Sequence, residues 1–151
     1  MNIRLADESD TSQLIAISEA SGSAAHWTPR QWTDIFRSQA PPRFAWIAQQ
    51  DSNLQSIGFL VAQHNGSEWE LENIAVLPDF RRQGAGAELM SALLSHAHAH
   101  RAERILLEVR ASNLSACHFY GVSGFQVLAR RRAYYANPVE DALIMVRTFE
   151  N

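Results

Sequence analysis

Apolar residues along this chain follow two rhythms, one of period two and one near 3.6. Asn2 to Ala6 reads as a short strand. Asp10-Thr11-Ser12 offers helix caps, and Leu14, Ile15, Ile17 and Ser18 carry helical spacing to about Ala20. After a loop from Ser21 to Trp27, a second helix is marked by a Thr-x-x-Gln capping box, Thr28 to Gln31, with Pro29 at its first position. Trp32, Ile35 and Phe36 form its apolar face, and Pro41-Pro42 end the segment. Phe44 to Ala48, Ile57 to Ala62 and Trp69 to Val76 read as strands, joined by turns at Asp51-Ser52-Asn53 and Asn65-Gly66. Leu89, Leu93 and Ala97, spaced four apart, mark one face of a long helix, and Arg104 to Val109 is a strand too apolar for the surface. Ser112-Asn113 caps a helix to about Val122 with Gly124 as its stop, and Phe125 to Ala129 and Ala142 to Phe149 supply the last strands. Strands first, then strand–helix–strand–helix–strand, predict an α/β fold with a mixed sheet and helices on both faces.

The chemistry concentrates where the strand ending at Val76 runs into the long helix. Between them lie a turn at Pro78-Asp79 and the loop Arg81-Arg82-Gln83-Gly84-Ala85-Gly86-Ala87. The first N–H groups of a helix have no partners inside it and lie at the positive end of its dipole. Glycine lets a ligand approach those groups, and Arg81, Arg82 and Gln83 add charge and donors, so the loop reads as an anion cradle. No Gly-Lys-Ser/Thr follows, which excludes a nucleotide P-loop, and the third Gly of a dinucleotide fingerprint is missing.

The order Arg81-x-x-Gly84-x-Gly86, entered from Asn73-Ile74-Ala75-Val76, resembles the acetyl-CoA site of the GNAT N-acetyltransferases. The resemblance implies the GNAT fold: a mostly antiparallel central sheet whose strands ending near Val76 and Val109 splay apart, with acetyl-CoA in the gap. It implies that the loop binds the pyrophosphate of coenzyme A and that Ile74, Ala75 and Val76 meet its pantetheine arm, with backbone N–H groups there as oxyanion donors. Within the family, Leu-Glu108-Val-Arg-Ala-Ser-Asn113, Tyr120-Gly-Val-Ser-Gly-Phe, and Arg131-Arg132-Ala133-Tyr134-Tyr135 before Glu140-Asp141-Ala142 look like the RimI-type enzymes. Those acetylate protein N-terminal α-amines, the bacterial prototype acting on a ribosomal protein. The likeness spans essentially the whole chain; Phe80, Ala85 and the short Ala136–Val139 span depart from it.

Acyl transfer from a thioester to an amine needs a proton acceptor for the amine, stabilisation of the thioester oxygen, and a hydrogen bond or proton for the departing thiolate. Glu108 interrupts an apolar strand, where burial would raise its pKa and suit a general base; a salt bridge to Arg110 or Arg104 is the structural alternative. Glu70 and Glu72 are rival bases on the strand before the cradle. Tyr120 could reach the sulfur. With tyrosine near 10 and a thiol near 8.5, full proton transfer is uphill by roughly 2 kcal/mol, so a hydrogen bond describes it better. The resemblance assigns Glu108 as base and Tyr120 as acid, and puts the acceptor peptide against Tyr134, Tyr135 and the Ala25-His26-Trp27 region, with Glu72 in the same cleft. Asn113 reads both as a helix cap and as a donor to the pantetheine arm, and Ser115 joins it among the expected cofactor contacts. An α-amine, with pKa near 8, leaves a far larger neutral fraction at neutral pH than lysine near 10.4.

Composition narrows the picture further. At 151 residues, 46% hydrophobic and 19% charged, the chain is expected to be one globular domain. It contains no apolar run long enough to cross a bilayer, and its N-terminus lacks a signal-peptide pattern, so a cytoplasmic protein without a membrane partner is expected. The single Cys117 excludes an internal disulfide and reads as an inert thiol, arguing for direct attack in a ternary complex over an acyl-enzyme. A net charge of -3 gives no sign of nucleic-acid binding, and a monomer is favoured. All thirteen basic residues are Arg, so self-acetylation of a lysine is excluded. His96, His98 and His100 lack the flanking Glu of a zincin and read as a solvated helix end, without a metal. Arg130-Arg131-Arg132 fits contact with RNA or an acidic peptide and equally a solvated edge. Two rivals remain: a GNAT acting on lysine or a small amine, and a non-catalytic acyl-CoA-binding or ribosome-associated module.

Overall fold

The capping box closes as its spacing predicts, with Thr28 N–H donating to Gln31 Oε1 at 2.8 Å and Gln31 N–H donating to Thr28 Oγ1 at 3.3 Å. The computed structural model describes residues 1–22, 26–37 and 41–150. Among them the strands are β1 Asn2–Leu5, β2 Arg43–Gln49, β3 Ser56–Asn65, β4 Glu68–Val76, β5 Arg104–Arg110, β6 Gln126–Tyr135 and β7 Glu140–Thr148. The helices are α1 Thr11–Ser21, α2 Pro29–Arg37, α3 Ala85–Ala99 and α4 Leu114–Val122, with single 3-10 turns at Glu8–Asp10 and Pro78–Phe80. One sheet runs β1-β2-β3-β4-β5-β7-β6, antiparallel at every junction except the parallel β4–β5 pair.

Two cores cover the two faces. Leu14 and Ile17 of α1 with Trp32 and Ile35 of α2 pack on Ile47, Phe59 and Val61. Leu89, Leu93 and Ala97 of α3, with Tyr120 of α4 and Phe125, pack on Trp69, Leu71, Ile105 and Leu107. Gly58 permits the close seat of α3: a Cβ there would lie 3.0 Å from the Ala75 carbonyl oxygen and 3.3 Å from Leu89 Cδ1. The expected mixed sheet, clothed on both faces, is the sheet observed.

Three local expectations are corrected. Asp10 occupies the N-cap of α1, but its carboxylate does not cap the helix. It is buried and accepts from Arg4 Nη1 and Nη2 at 2.9 and 2.8 Å and from the Asp7 N–H, which holds its pKa below the usual carboxylate range. Of the Ser112-Asn113 pair, Asn113 alone caps α4, accepting from Ala116 N–H, while the Ser112 hydroxyl donates to Glu140. The penultimate strand does not end at Ala129; β6 continues to Tyr135, opposite Glu140.

Candidate active site

Pairing between β4 and β5 stops after three partners: Glu68 with Arg104, Trp69 with Ile105, and Glu70 with Leu106. Both strands continue, β4 to Val76 beside β3 alone and β5 to Arg110 beside β7 alone, so a wedge opens between them among the described residues. A bulge at Glu72 sits where the wedge begins: Val61 pairs with Asn73 and Ala62 with Leu71, skipping one residue of β4. It shifts the alternation, so that Trp69 and Leu71 before it and Ile74 and Val76 after it all face the α3 core, while Ala75 faces α1 and α2. Asn73, only 5% exposed, keeps a buried Nδ2 donor without a partner among the described residues.

The loop from Arg81 to Gly84 delivers the chain to α3 with positive φ at Arg82 (62°) and Gly84 (92°). Glu88 N–H is the first to bond back, reaching the Gly84 carbonyl at 3.0 Å, and Gly84 makes no side-chain cap. The N–H groups of Ala85, Gly86 and Ala87 therefore face outward at the positive end of a 15-residue helix. Open donors with no competing protein acceptor among the described residues suit the diphosphate of coenzyme A. Arg81 Nε donates to the Val76 carbonyl at 3.1 Å and its Nη2 to that of Ser21 at 2.7 Å. It ties the cradle to the ends of β4 and α1. Gln83 Nε2 reaches the Asp79 carbonyl at 3.3 Å, so it too shapes the loop. Ser115 is exposed in the first turn of α4.

On the α1–α2 face the wedge widens into a cleft of about 280 Å³. Trp27, Gln31 and Asp34 wall it from the α2 side, Arg43, Glu70, Leu71 and Glu72 from β2 and β4, and Glu108 and Tyr135 from the far strands. Four carboxylates thus meet one guanidinium. Arg43 engages Glu72, with Nε 2.8 Å from Oε1 and Nη2 3.3 Å from Oε2. Arg131 stands 3.6 Å from Glu108. Glu70 has neither ion pair nor hydrogen-bonded donor among the described residues; desolvation, and then the charges of Glu72 and Glu108, push its pKa up although water reaches it.

The burial expected for Glu108 does not occur: its side chain is 33% exposed, because neighbouring Leu107 and Val109 take the core side of β5 and leave it on the open face. Its ion-pair partner is Arg131 of β6, not Arg104 or Arg110, which pair with Glu68 and Glu140. Tyr135 lines the cleft with the Arg110 guanidinium 4.1 Å from its ring centre, while Tyr134 is 48% exposed and packs edge-on against Tyr135 at 5.2 Å. Trp27 stacks at a tilt against Trp32 at 5.0 Å. Of the residues expected to meet the acceptor, Trp27, Glu72 and Tyr135 line this one cleft, Tyr134 packs against Tyr135, and Ala25 lies outside the described residues. Sequence reasoning missed Gln31, Asp34 and Arg43. The first two carry a signal, since they fall on the polar side of a helix whose apolar side is Trp32 and Ile35; Arg43 carries none.

Tyr120 sits across the sheet from Glu108, in the core with Phe125, whose ring is 6.0 Å away. Burial pushes its pKa up to about 12, and its hydroxyl has no hydrogen-bond partner among the described residues. Proton transfer to a thiolate is then uphill by about 5 kcal/mol, more than the ordinary tyrosine value predicts, which strengthens the hydrogen-bond description.

His98 and His100 are exposed at the end of α3, as expected, whereas the His96 side chain is not fully solvated. It is half-buried, 4.7 Å from Phe44 and 5.6 Å from Trp69 between ring centres, with a buried Nε2, and desolvation lowers its pKa, aided by His100 and His64. Among the described residues no group of side chains is arranged to hold a metal, and no helix is long and apolar enough to cross a membrane.

Comparisons with known proteins agree with this geometry. A [ribosomal protein bS18]-alanine N-acetyltransferase from Haemophilus ducreyi is 31% identical over 141 residues, covering 91% of this chain and 93% of that protein. Its counterpart from Escherichia coli K12 is 38% identical over 99 residues, covering 64% and 67%. The crystal structure of the ribosomal-protein-S18-alanine N-acetyltransferase from Escherichia coli superposes with a TM-score of 0.82 at 28% identity, over 99% of this chain and 94% of that one. Residues 10–125 match the Acetyltransferase (GNAT) family, and the chain, with its splayed β4–β5 pair and open-amide cradle, belongs to that family.

Proposed function

We propose that this protein acetylates the N-terminal α-amine of a protein, using acetyl-CoA, by direct attack in a ternary complex. The observation that carries the reading is the wedge between β4 and β5: open amides of Ala85, Gly86 and Ala87 lie at one end, and an acidic cleft opens on the other side. The bound donor supplies an acetyl thioester. The amides of the Arg82–Ala87 stretch hold its diphosphate, Ile74, Ala75 and Val76 present free strand edge to its pantetheine arm, and Asn113 and Ser115 flank that arm at the start of α4. Glu108 accepts a proton from the attacking nitrogen, and Tyr120 donates a hydrogen bond to the departing sulfur.

The cleft supports a cationic acceptor. Asp34, Glu70, Glu72 and Glu108 outnumber Arg43, and a chain terminus presented as an ammonium is drawn to them. Trp27 and Tyr135, with Tyr134 at the rim, flank the residues behind the terminus. Relatives named [ribosomal protein bS18]-alanine N-acetyltransferase and N-alpha-acetyltransferase favour an α-amine over a lysine and make a ribosomal protein the first acceptor to try. Such an acceptor places the enzyme in the cytoplasm.

Incubation with acetyl-CoA and peptides differing in their first residue, each also carrying a lysine, tests the reading by mass spectrometry. Acetyl groups are expected on the α-amine. Modification confined to lysine would overturn the acceptor assignment, and coenzyme A binding without any turnover would support the binding-module alternative.

A further inference from the structure

An ammonium that becomes an amide must lose two protons from nitrogen, and the cleft presents carboxylates in two different states. Glu72 is held by Arg43 through two contacts, and Glu108 has Arg131 at 3.6 Å. Glu70 lines the same cleft at the last paired position before β4 and β5 part, opposite Leu106, and makes no ion pair among the described residues, the nearby Arg43 being engaged by Glu72. Its place follows from strand alternation: Trp69 and Leu71 are buried toward α3, so Glu70 is delivered to the open face.

We propose that Glu70 takes the first proton, converting the acceptor's ammonium to the free amine before attack, and that Glu108 takes the second during attack. This rests on the N-terminal acetyltransferase reading above. In the first step R–NH3⁺ and the Glu70 carboxylate give R–NH2 and the Glu70 carboxylic acid. In the second, the nitrogen lone pair forms the C–N bond to the thioester carbonyl carbon, the C–S bond breaks with its electron pair on sulfur, and the nitrogen's extra proton passes to Glu108. The thiolate is then protonated from solvent, and Glu70 and Glu108 return their protons to solvent, so one ammonium and one thioester yield one amide, one thiol and one released proton.

The division of labour matches the electrostatics. A carboxylate crowded by Glu72, Glu108 and Glu68, with the nearby Arg43 engaged by Glu72 and offsetting them only in part, readily binds a proton or an ammonium. The raised pKa of Glu70 agrees with this. Glu108, with Arg131 at 3.6 Å, faces the same cleft and is placed to receive the proton released as the C–N bond forms. Glu72 is left to shape the wall.

The test is the pH dependence of kcat/KM for Glu70→Gln and Glu108→Gln with a peptide whose α-amine has pKa near 8. Such an amine is about 3% neutral at pH 6.5 and about 90% at pH 9, a range of about thirtyfold. The Glu70→Gln variant is expected to lose tenfold or more at pH 6.5 and to recover to within about threefold of wild type at pH 9, where solution supplies the free amine. Glu108→Gln is expected to lose a similar factor at both pH values. Glu70→Asp, which keeps the charge, is expected to restore most of the low-pH activity and guards against a folding defect, which melting curves of all three variants also report. An equal loss for Glu70→Gln at both pH values, or no loss at pH 6.5, overturns the proposal while leaving wild-type α-amine acetylation standing. Absence of α-amine acetylation by the wild type in the same assay removes the parent reading, and this proposal with it.

Discussion

Arg43 on β2 and Glu72 at the β4 bulge form a two-point ion pair, Nε to Oε1 at 2.8 Å and Nη2 to Oε2 at 3.3 Å, with both side chains mostly buried. The pair pins the bulged residue against β2 at the point where β4 leaves β5. It also leaves Glu72 less free than Glu70 to meet the acceptor's charge directly.

Arg43→Gln is therefore expected to leave a partly buried carboxylate uncompensated and to cost about 1–3 kcal/mol of stability. Urea unfolding measures this. The double substitution Arg43→Gln/Glu72→Gln is expected to recover most of the loss, because the stranded charge is gone.

Tyr120→Phe removes a hydroxyl without a protein partner among the described residues, so unfolding stability is expected to stay within about 0.5 kcal/mol of wild type. Under the proposed role kcat falls by about ten- to a hundredfold while the KM for acetyl-CoA holds. With its pKa at about 12, Tyr120 adds no basic limb to the rate profile below pH 11. Steady-state kinetics from pH 6 to pH 10 check both points.

Gly84→Ala places a side chain at φ 92°, where only glycine is at ease. Space is not the obstacle, since nothing lies within 4 Å of the added Cβ. The expected cost is about 1–2 kcal/mol, met by shifting the loop and turning the amides of residues 85–87 from their present direction. Calorimetric titration is expected to show coenzyme A binding weakened by tenfold or more.

His96 supplies a pH dependence of known sign. Its folded pKa lies below the ordinary 6.5, because burial first, then His100 and His64, disfavour the imidazolium. Above 6.5 both folded and unfolded forms are neutral and stability is complete; as pH falls from 6.5 through the lower folded value, the unfolded chain binds the proton more readily and stability is lost. Urea unfolding at pH 7.5 and 5.5 is expected to show the decline, and His96→Gln to flatten it. Asp10, held low by Arg4, acts in a separate, more acidic window: its contribution is lost as pH falls below the ordinary 3.8 through its depressed value.

Much of this architecture is legible residue by residue. The Thr28–Gln31 box, the α3 face of Leu89, Leu93 and Ala97, and the glycine-rich approach to α3 rest on interactions within a few residues, which sequence spacing encodes directly. The extension of β6 to Tyr135 was not legible, because Arg130, Arg131 and Arg132 break any apolar alternation; an exposed edge strand needs none. Likewise the burial expected of Glu108 fails because β5 shows one face to a core and the other to a cleft, and hydrophobicity along a strand does not tell a covered face from an open one.

Element order, the glycine-rich entry to α3 and the family could be read from the residues alone, since each follows from local hydrogen bonding, short-range periodicity or a motif of fixed spacing. Only the tertiary structure decided the ionic state of the cleft. Which carboxylate meets Arg43, which meets Arg131 and which meets neither depends on residues 29 and 23 positions apart brought together by strand register and one bulge. Charge interactions act through space between strands, and no spacing along a single strand records them.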